Sequence, residues 1–212
     1  MDKQNIITKT ESMVHEKLQE EKSGHDWYHI ERVVKNAREI TADEKADTFI
    51  VTLAALLHDL ADDKVVASEE EGLRFISDWL TQQEVSQADR EHILSIIQTM
   101  SFKGGNSQAM ETLEGKIVQD ADRLDAIGAV GIARCFVYSG KKGQAIHNPQ
   151  LPVREEMTVE EYRNGESTAI HHFYEKLLKL KDLMNTGKGY ELAEARHQFM
   201  EDFLKQFYRE IK

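Results

Sequence analysis

Apolar residues recur along this chain at three- and four-residue intervals, and the intervals predict helices. Residues 6–20 carry Ile6, Ile7, Met13, Val14 and Leu18 on one face, and a glycine in SGHDW interrupts the run. WYHIERVVKNAREI follows with Ile30, Val33, Val34, Ala37 and Ile40, and Ala46 to Leu60 continues with Phe49, Ile50, Leu53, Ala54 and Leu57. The Leu56–Leu57–Leu60 cluster predicts that this third helix is more buried than the second. Further helices are expected over Glu69–Leu80, Gln87–Met100 and, as one long element, Leu113–Tyr138. Gly128 and Gly131 fall inside that last stretch, where each carries a propensity cost of about 1 kcal/mol but permits close helix approach. Residues 140–156 hold both prolines, Pro149 and Pro152, and read as a connector or an active-site lid. Two C-terminal helices, 166–184 and 189–211, are expected to bury Phe173, Leu177, Leu178, Leu180 and Phe199, Phe203, Phe207. With no alternating strand pattern in competition, the expectation is one all-α domain spanning 1–212, a compact helical bundle with its C-terminal helices packed against it.

Composition narrows the partners. The 212 residues include 27 basic and 38 acidic side chains, a formal charge of -11, so neither a polymeric nucleic acid nor an anionic membrane meets the right long-range field. A small phosphorylated ligand held through a metal or a local basic patch is compatible with that charge. A single cysteine, Cys135, excludes an intramolecular disulfide framework. The N-terminal segment lacks an apolar leader core, and no later stretch is long and apolar enough to span a bilayer, so a cytoplasmic location is expected. A homo-oligomer is compatible with all of this.

The chemistry gathers where apolar helices end in charge. LLHDLADD, Leu56 to Asp63, delivers His58 and Asp59 to the end of the third helix. With His29 on the second helix and Asp122 inside the 113–138 stretch, they form the most coherent ligand set: two imidazoles and two carboxylates for one divalent cation, with positions left for water and a substrate oxygen. Adjacent residues on a helix diverge by about 100°, so His58 and Asp59 flank one ion only if other helices converge beside them. A His–Asp dipeptide alone is weak, as the second one, His25–Asp26, illustrates. SFKGGNS lacks the spacing of a phosphate-binding loop, and there is no CxxC pair or dinucleotide fingerprint.

GHDWYHIERV, LLHDLADD and VQDADRLDAIGAVGIAR, in this order and spacing, resemble the HD-domain superfamily of metal-dependent phosphohydrolases, and its small single-domain bacterial members above all. Its motifs lie within 24–138, and the resemblance extends through the C-terminal helices at 166–211. It implies an all-α fold, with His29 as the first metal-binding histidine, His58 and Asp59 as the name-giving pair and Asp122 as the distal aspartate. Asp122 is preferred over Asp120 and Asp125 because family members read alanine–aspartate–arginine–leucine there. Asp125 either orients a ligand or pairs with a basic side chain. In the stringent-response nucleotide hydrolases that share the fold, an acidic pair matching Asp62–Asp63 is implicated near the reacting water. Those two are therefore the catalytic candidates, Asp63 ahead of Asp62, against a solvent-exposed helix end.

Phosphate contacts are expected from Arg32, Lys64, Lys103 and Arg123, with His25 and His92 as neutral-pH contacts and a packing role as the alternative for each. Arg123 has a structural salt bridge as its alternative. His171 and His172 read as helix packing. The implied cofactor is one divalent metal ion: Mn²⁺ is favoured because the ligand types suit it and the family often uses it, with Mg²⁺, Fe²⁺, Ni²⁺ and Co²⁺ as alternatives. The implied activity is a nucleotide pyrophosphohydrolase converting a nucleoside triphosphate to monophosphate and pyrophosphate. Nucleotide monophosphatase, cyclic phosphodiesterase and alarmone hydrolase are chemically adjacent, and a non-catalytic nucleotide-binding regulatory module is the rival of a different class.

Overall fold

The computed structural model describes residues 2–21, 24–62, 68–100, 109–154, 157–158, 160–161 and 165–211. Among these the regular structure is helical throughout, with no strand, so the all-α expectation holds. The chain divides into two compact units, the first comprising 1–102 and 107–122, the second 103–106 and 123–212.

In the first unit α1 (Lys3–Leu18), α2 (Trp27–Asp43) and α3 (Thr48–Leu57) precede a 3-10 turn, His58–Ala61; α4 (Glu69–Gln82), α5 (Gln87–Thr99) and α6 (Leu113–Asp125) follow, the last residues of α6 belonging to the second unit. Side chains of aspartate or serine cap α1 to α5: Asp2, Asp26, Asp47, Ser68 and Ser86 each accept from a backbone N–H of the first turn. The core is built on α3, whose residues Phe49 to Leu57 are all buried; α1, α2 and α5 pack on it. Trp79 on α4 donates its indole N–H to Thr10 Oγ1 on α1 at 3.0 Å, which satisfies both groups at that seam.

The second unit contains α7 (Gly128–Lys141), α8 (Ala169–Glu175), two 3-10 turns (Leu177–Lys179 and Lys181–Leu183) and α9 (Gly187–Glu210). Phe136, Phe173 and Phe203 form its aromatic centre, the last two stacked with centroids 5.7 Å apart. A partly buried ion pair, with Glu175 the buried partner, fixes the irregular stretch before α8. Arg154 donates Nε and Nη2 to the two carboxylate oxygens of Glu175 at 2.8 and 2.7 Å, and Ser167 donates its hydroxyl to the same carboxylate.

Three expectations need correction. The stretch 113–138 is two helices, not one: the chain breaks after Asp125, and Gly128 opens α7 at φ +74°, a conformation an L side chain rarely adopts. The 166–184 segment is helical only over Ala169–Glu175 and then tightens into the two 3-10 turns. Phe199 is 53% exposed, because the buried stripe of α9 runs instead through Gly189, Ala193, Met200 and Leu204.

Candidate metal centre

The first unit brings together four residues from three distant stretches. Asp26 caps α2 by accepting from the N–H of His29 at 2.9 Å, which sets the first turn and leaves His29 wholly buried. At the end of α3 the helix tightens, and His58 and Asp59 open the 3-10 turn; Asp62 N–H donates to the Asp59 carbonyl at 3.1 Å and closes it. A 3-10 turn does not bring adjacent side chains closer, with about 120° between them; His58 and Asp59 share the cluster because His29 from α2 lies against both. Asp122 comes from α6, held against α2 by the Asn36 amide, which donates to the Ala121 carbonyl at 3.2 Å.

The donor atoms converge closely. His29 Nε2 lies 3.3 Å from His58 Nε2, 3.3 Å from Asp59 Oδ2 and 3.6 Å from Asp122 Oδ1. His58 Nε2 lies 3.2 Å from Asp59 Oδ1 and 3.9 Å from Asp122 Oδ1. Ligands bound at roughly 2.1 Å stand about 3.0 Å apart at right angles and about 3.4 Å apart in a tetrahedron, so these separations suit atoms around one small cation. His29, His58 and Asp122 form one such triad, and His25, His29 and Asp59 a second that shares His29.

Hydrogen bonding fixes which nitrogen faces inward. His58 Nδ1 lies 2.9 Å from the Ala55 carbonyl, an acceptor only, so Nδ1 carries a proton and Nε2 is turned toward the cluster. Burial works against a charged His58, yet Asp59, Asp122, the Ala55 carbonyl and Asp62 together raise its pKa above the ordinary imidazole value. Burial likewise opposes ionisation of Asp59, but His58, His25 and His29 hold its carboxyl well below the usual range. A buried carboxylate among imidazoles demands positive charge, which either a proton or a metal ion satisfies. The donor set of borderline nitrogens and hard oxygens fits a divalent ion.

Comparison with known proteins bears on what such a cluster belongs to. The HD domain family model matches residues 26–127, a range that holds all four residues. YpgQ of Bacillus subtilis is 44% identical over 196 residues, covering 92% of this chain and 88% of that protein. The chain belongs to the HD-domain family. A Lactobacillus plantarum structure superposes with a TM-score of 0.89 at 42% identity, covering 99% of this chain and 98% of that one. An HD-superfamily hydrolase from Bacillus thuringiensis does so at 0.77 and 46%, covering 98% and 97%. YpgQ has been crystallised in complex with ADP; that structure matches at 0.76 and 38%, covering 97% of each chain.

The remaining HD-family site candidates fall in varied places. Asp62 ends the turn that carries His58 and Asp59, half-buried, with its charge acting on His58. His25, expected at phosphate, instead faces Asp59 Oδ2 through Nδ1 at 2.9 Å. The capping aspartate was the available signal: Asp26 as N-cap puts His25 just before α2 and His29 in its first turn. Arg32 is half-buried on α2, one turn after His29. His92 on α5 sits 3.8 Å from Glu114 on α6. Arg123 turns its guanidinium to the Leu183 carbonyl in the second unit. Asp125, 2% exposed, pairs with Arg134 at 2.8 Å, the ion-pair alternative rather than a ligand-orienting one. Asp63, Lys64 and Lys103 lie outside the described residues. A recess of about 390 Å³ in the second unit, lined in part by Gln144, Asn148, Ser167 and Thr168, contains none of these candidates.

Proposed function

We propose that this HD-family chain is a divalent-metal-dependent phosphohydrolase acting on a nucleotide, with His29, His58, Asp59 and Asp122 as the metal ligands. The observation that carries the reading is the convergence of side chains from α2, the 3-10 turn and α6: the Nε2 atoms of His29 and His58 lie within 3.9 Å of each other and of carboxylate oxygens of Asp59 and Asp122. A divalent ion bound there neutralises charge developing on a phosphoryl group and acidifies water near it, and Mn²⁺ is the favoured occupant.

The chain's own residues supply the rest. His58, with Nδ1 committed to Ala55, presents a fixed nitrogen, and His25 orients the Asp59 carboxylate through Oδ2, the oxygen that also faces His29. Asp62, one turn beyond the ligand pair, is the described candidate for orienting the attacking water or taking its proton, with Asp63 beside it in sequence. Arg32, on α2 one turn after His29, is the described candidate for holding phosphate oxygens. YpgQ's complex with ADP supports a nucleotide as the substrate class. Within that class the pyrophosphohydrolase reaction, nucleoside triphosphate to monophosphate and pyrophosphate, is the one proposed.

Product-resolved screening tests the reading. Nucleoside mono-, di- and triphosphates are offered with Mn²⁺, Mg²⁺, Fe²⁺, Ni²⁺ and Co²⁺, and phosphate and pyrophosphate are quantified separately. Pyrophosphate release from triphosphates that needs added metal is the expected result. Nucleotide binding with no phosphate or pyrophosphate from any pair would replace the enzyme with a binding module.

A further inference from the structure

The buried stripe of α4 runs through Gly72, Ile76 and Leu80, so a glycine stands where the pattern calls for an apolar side chain. Its position in the first turn of a capped helix would accept alanine more favourably by about 1 kcal/mol. Backbone conformation gives no reason for it, since the glycines at positive φ are Gly24, Gly128 and Gly143. Space does. A Cβ at Gly72 would strike the Leu60 carbonyl oxygen, and would stand 2.7 Å from Ala61 Cα and 3.2 Å from Ala61 Cβ. Two of those three atoms are backbone and cannot swing aside.

Leu60 and Ala61 are the second half of the four-residue turn that begins with His58 and Asp59. Restoring ordinary contact at Ala61 Cα from 2.7 to 3.4 Å needs a movement of about 0.7 Å. Metal–ligand distances tolerate only about 0.2 Å. The turn has little room to absorb the difference: it is buried, and it also packs against α3 and α5. We propose that Gly72 is a positioning residue for the metal site: the missing side chain lets α4 press on the backbone of the ligand-bearing turn and hold His58 and Asp59 in register with His29 and Asp122. This rests on the metal-site reading given above.

The test measures metal binding, with Co²⁺ as the probe. Wild type, Gly72→Ala and a matched control, Gly115→Ala, are compared by calorimetric titration and by the visible spectrum of bound Co²⁺. At Gly115 an added Cβ meets only side-chain atoms, those of Met110 and the hydroxyl of Thr112, and methionine repacks readily. Gly72→Ala is expected to melt cooperatively but bind Co²⁺ about 10- to 100-fold more weakly, the range typical of lost support around a metal ligand. Its spectrum should change, while the control keeps wild-type affinity and spectrum. Wild-type affinity and spectrum in Gly72→Ala, whatever its melting temperature, would overturn the inference. Should that variant fail to fold, hydrogen exchange of the wild type decides. Co²⁺ should slow exchange in both 58–62 and 72–76, and slowing confined to 58–62 overturns the coupling. A wild type that binds no Co²⁺ at all removes the metal-site reading, and the inference with it.

Discussion

Loading the site should stabilise the fold by a calculable amount. The proposed ligands lie at positions 29, 58, 59 and 122, on α2, the 3-10 turn and α6, so an unfolded chain cannot present them together. A ligand that binds only the folded state stabilises it by RT ln(1 + [L]/Kd), about 2.7 kcal/mol at a free metal concentration one hundred times Kd. At roughly 2–4 °C per kcal/mol for a chain of this size, the melting midpoint should rise by about 5–10 °C. Thermal melts of chelator-stripped protein with increasing Mn²⁺ measure it, with His58→Ala as the comparison. The acid dependence has a definite sign. The raised pKa of His58 means a proton competes with the metal for Nε2 up to a higher pH than for an ordinary imidazole. The metal-induced rise is therefore full above that pKa and shrinks as pH falls through it. An equal rise in wild type and His58→Ala, or none in the wild type at saturating metal, refutes the assignment.

Other outcomes follow from other parts of the chain. Asp62→Asn should lower turnover while metal stoichiometry, read by elemental analysis, stays at the wild-type level; unchanged turnover returns Asp62 to a helix-end charge, and Asp63→Asn is read the same way. Arg154→Ala takes both guanidinium donors from the buried Glu175 carboxylate and leaves it the Ser167 hydroxyl and the backbone N–H of residue 154, which should cost about 3 kcal/mol in urea melts at neutral pH. Burial raises Glu175, but its bonds to Arg154 and Ser167 outweigh that and lower its pKa, so the wild-type advantage should be present at neutral pH and fade as pH drops through that lowered value. An advantage independent of pH would contradict the assignment. Burial pushes the Cys135 thiol up to about 11, against weaker opposition from Ser139 and Lys176. Iodoacetamide should therefore modify it slowly in the native protein and readily in urea, and equal rates would place it in an open environment.

How far the sequence discloses this site depends on the kind of information each residue carries. Helical periodicity reports which face is buried, and it located α1 to α5 to within a few residues. It is blind to how a helix ends. The Leu56–Leu57–Leu60 pattern continues smoothly through a change from α-helix to 3-10 turn, because apolar spacing of three satisfies both, and the pair His58–Asp59 sits at that change. The same blindness fused α6 with α7 across Gly128. The proposed ligand set is legible because motif order carries what periodicity lacks, the association of residues 29, 58, 59 and 122, whose side chains the fold brings together. The contact of His25 is not legible in the same way: Asp59 is 34 residues away, and only the fold makes them neighbours at 2.9 Å.

Gly72 marks the limit from the other side. Sequence shows a glycine in an otherwise ordinary amphipathic helix, a mild propensity fault with no evident compensation. The compensation is steric and lies in the backbone of Leu60 and Ala61, which no pattern within α4 encodes. A side chain that binds a ligand announces itself by its chemistry, whereas a residue that positions such a side chain does so by shape. The ligands proposed for this centre are therefore readable from sequence, and the contact argued to hold them in register required the fold.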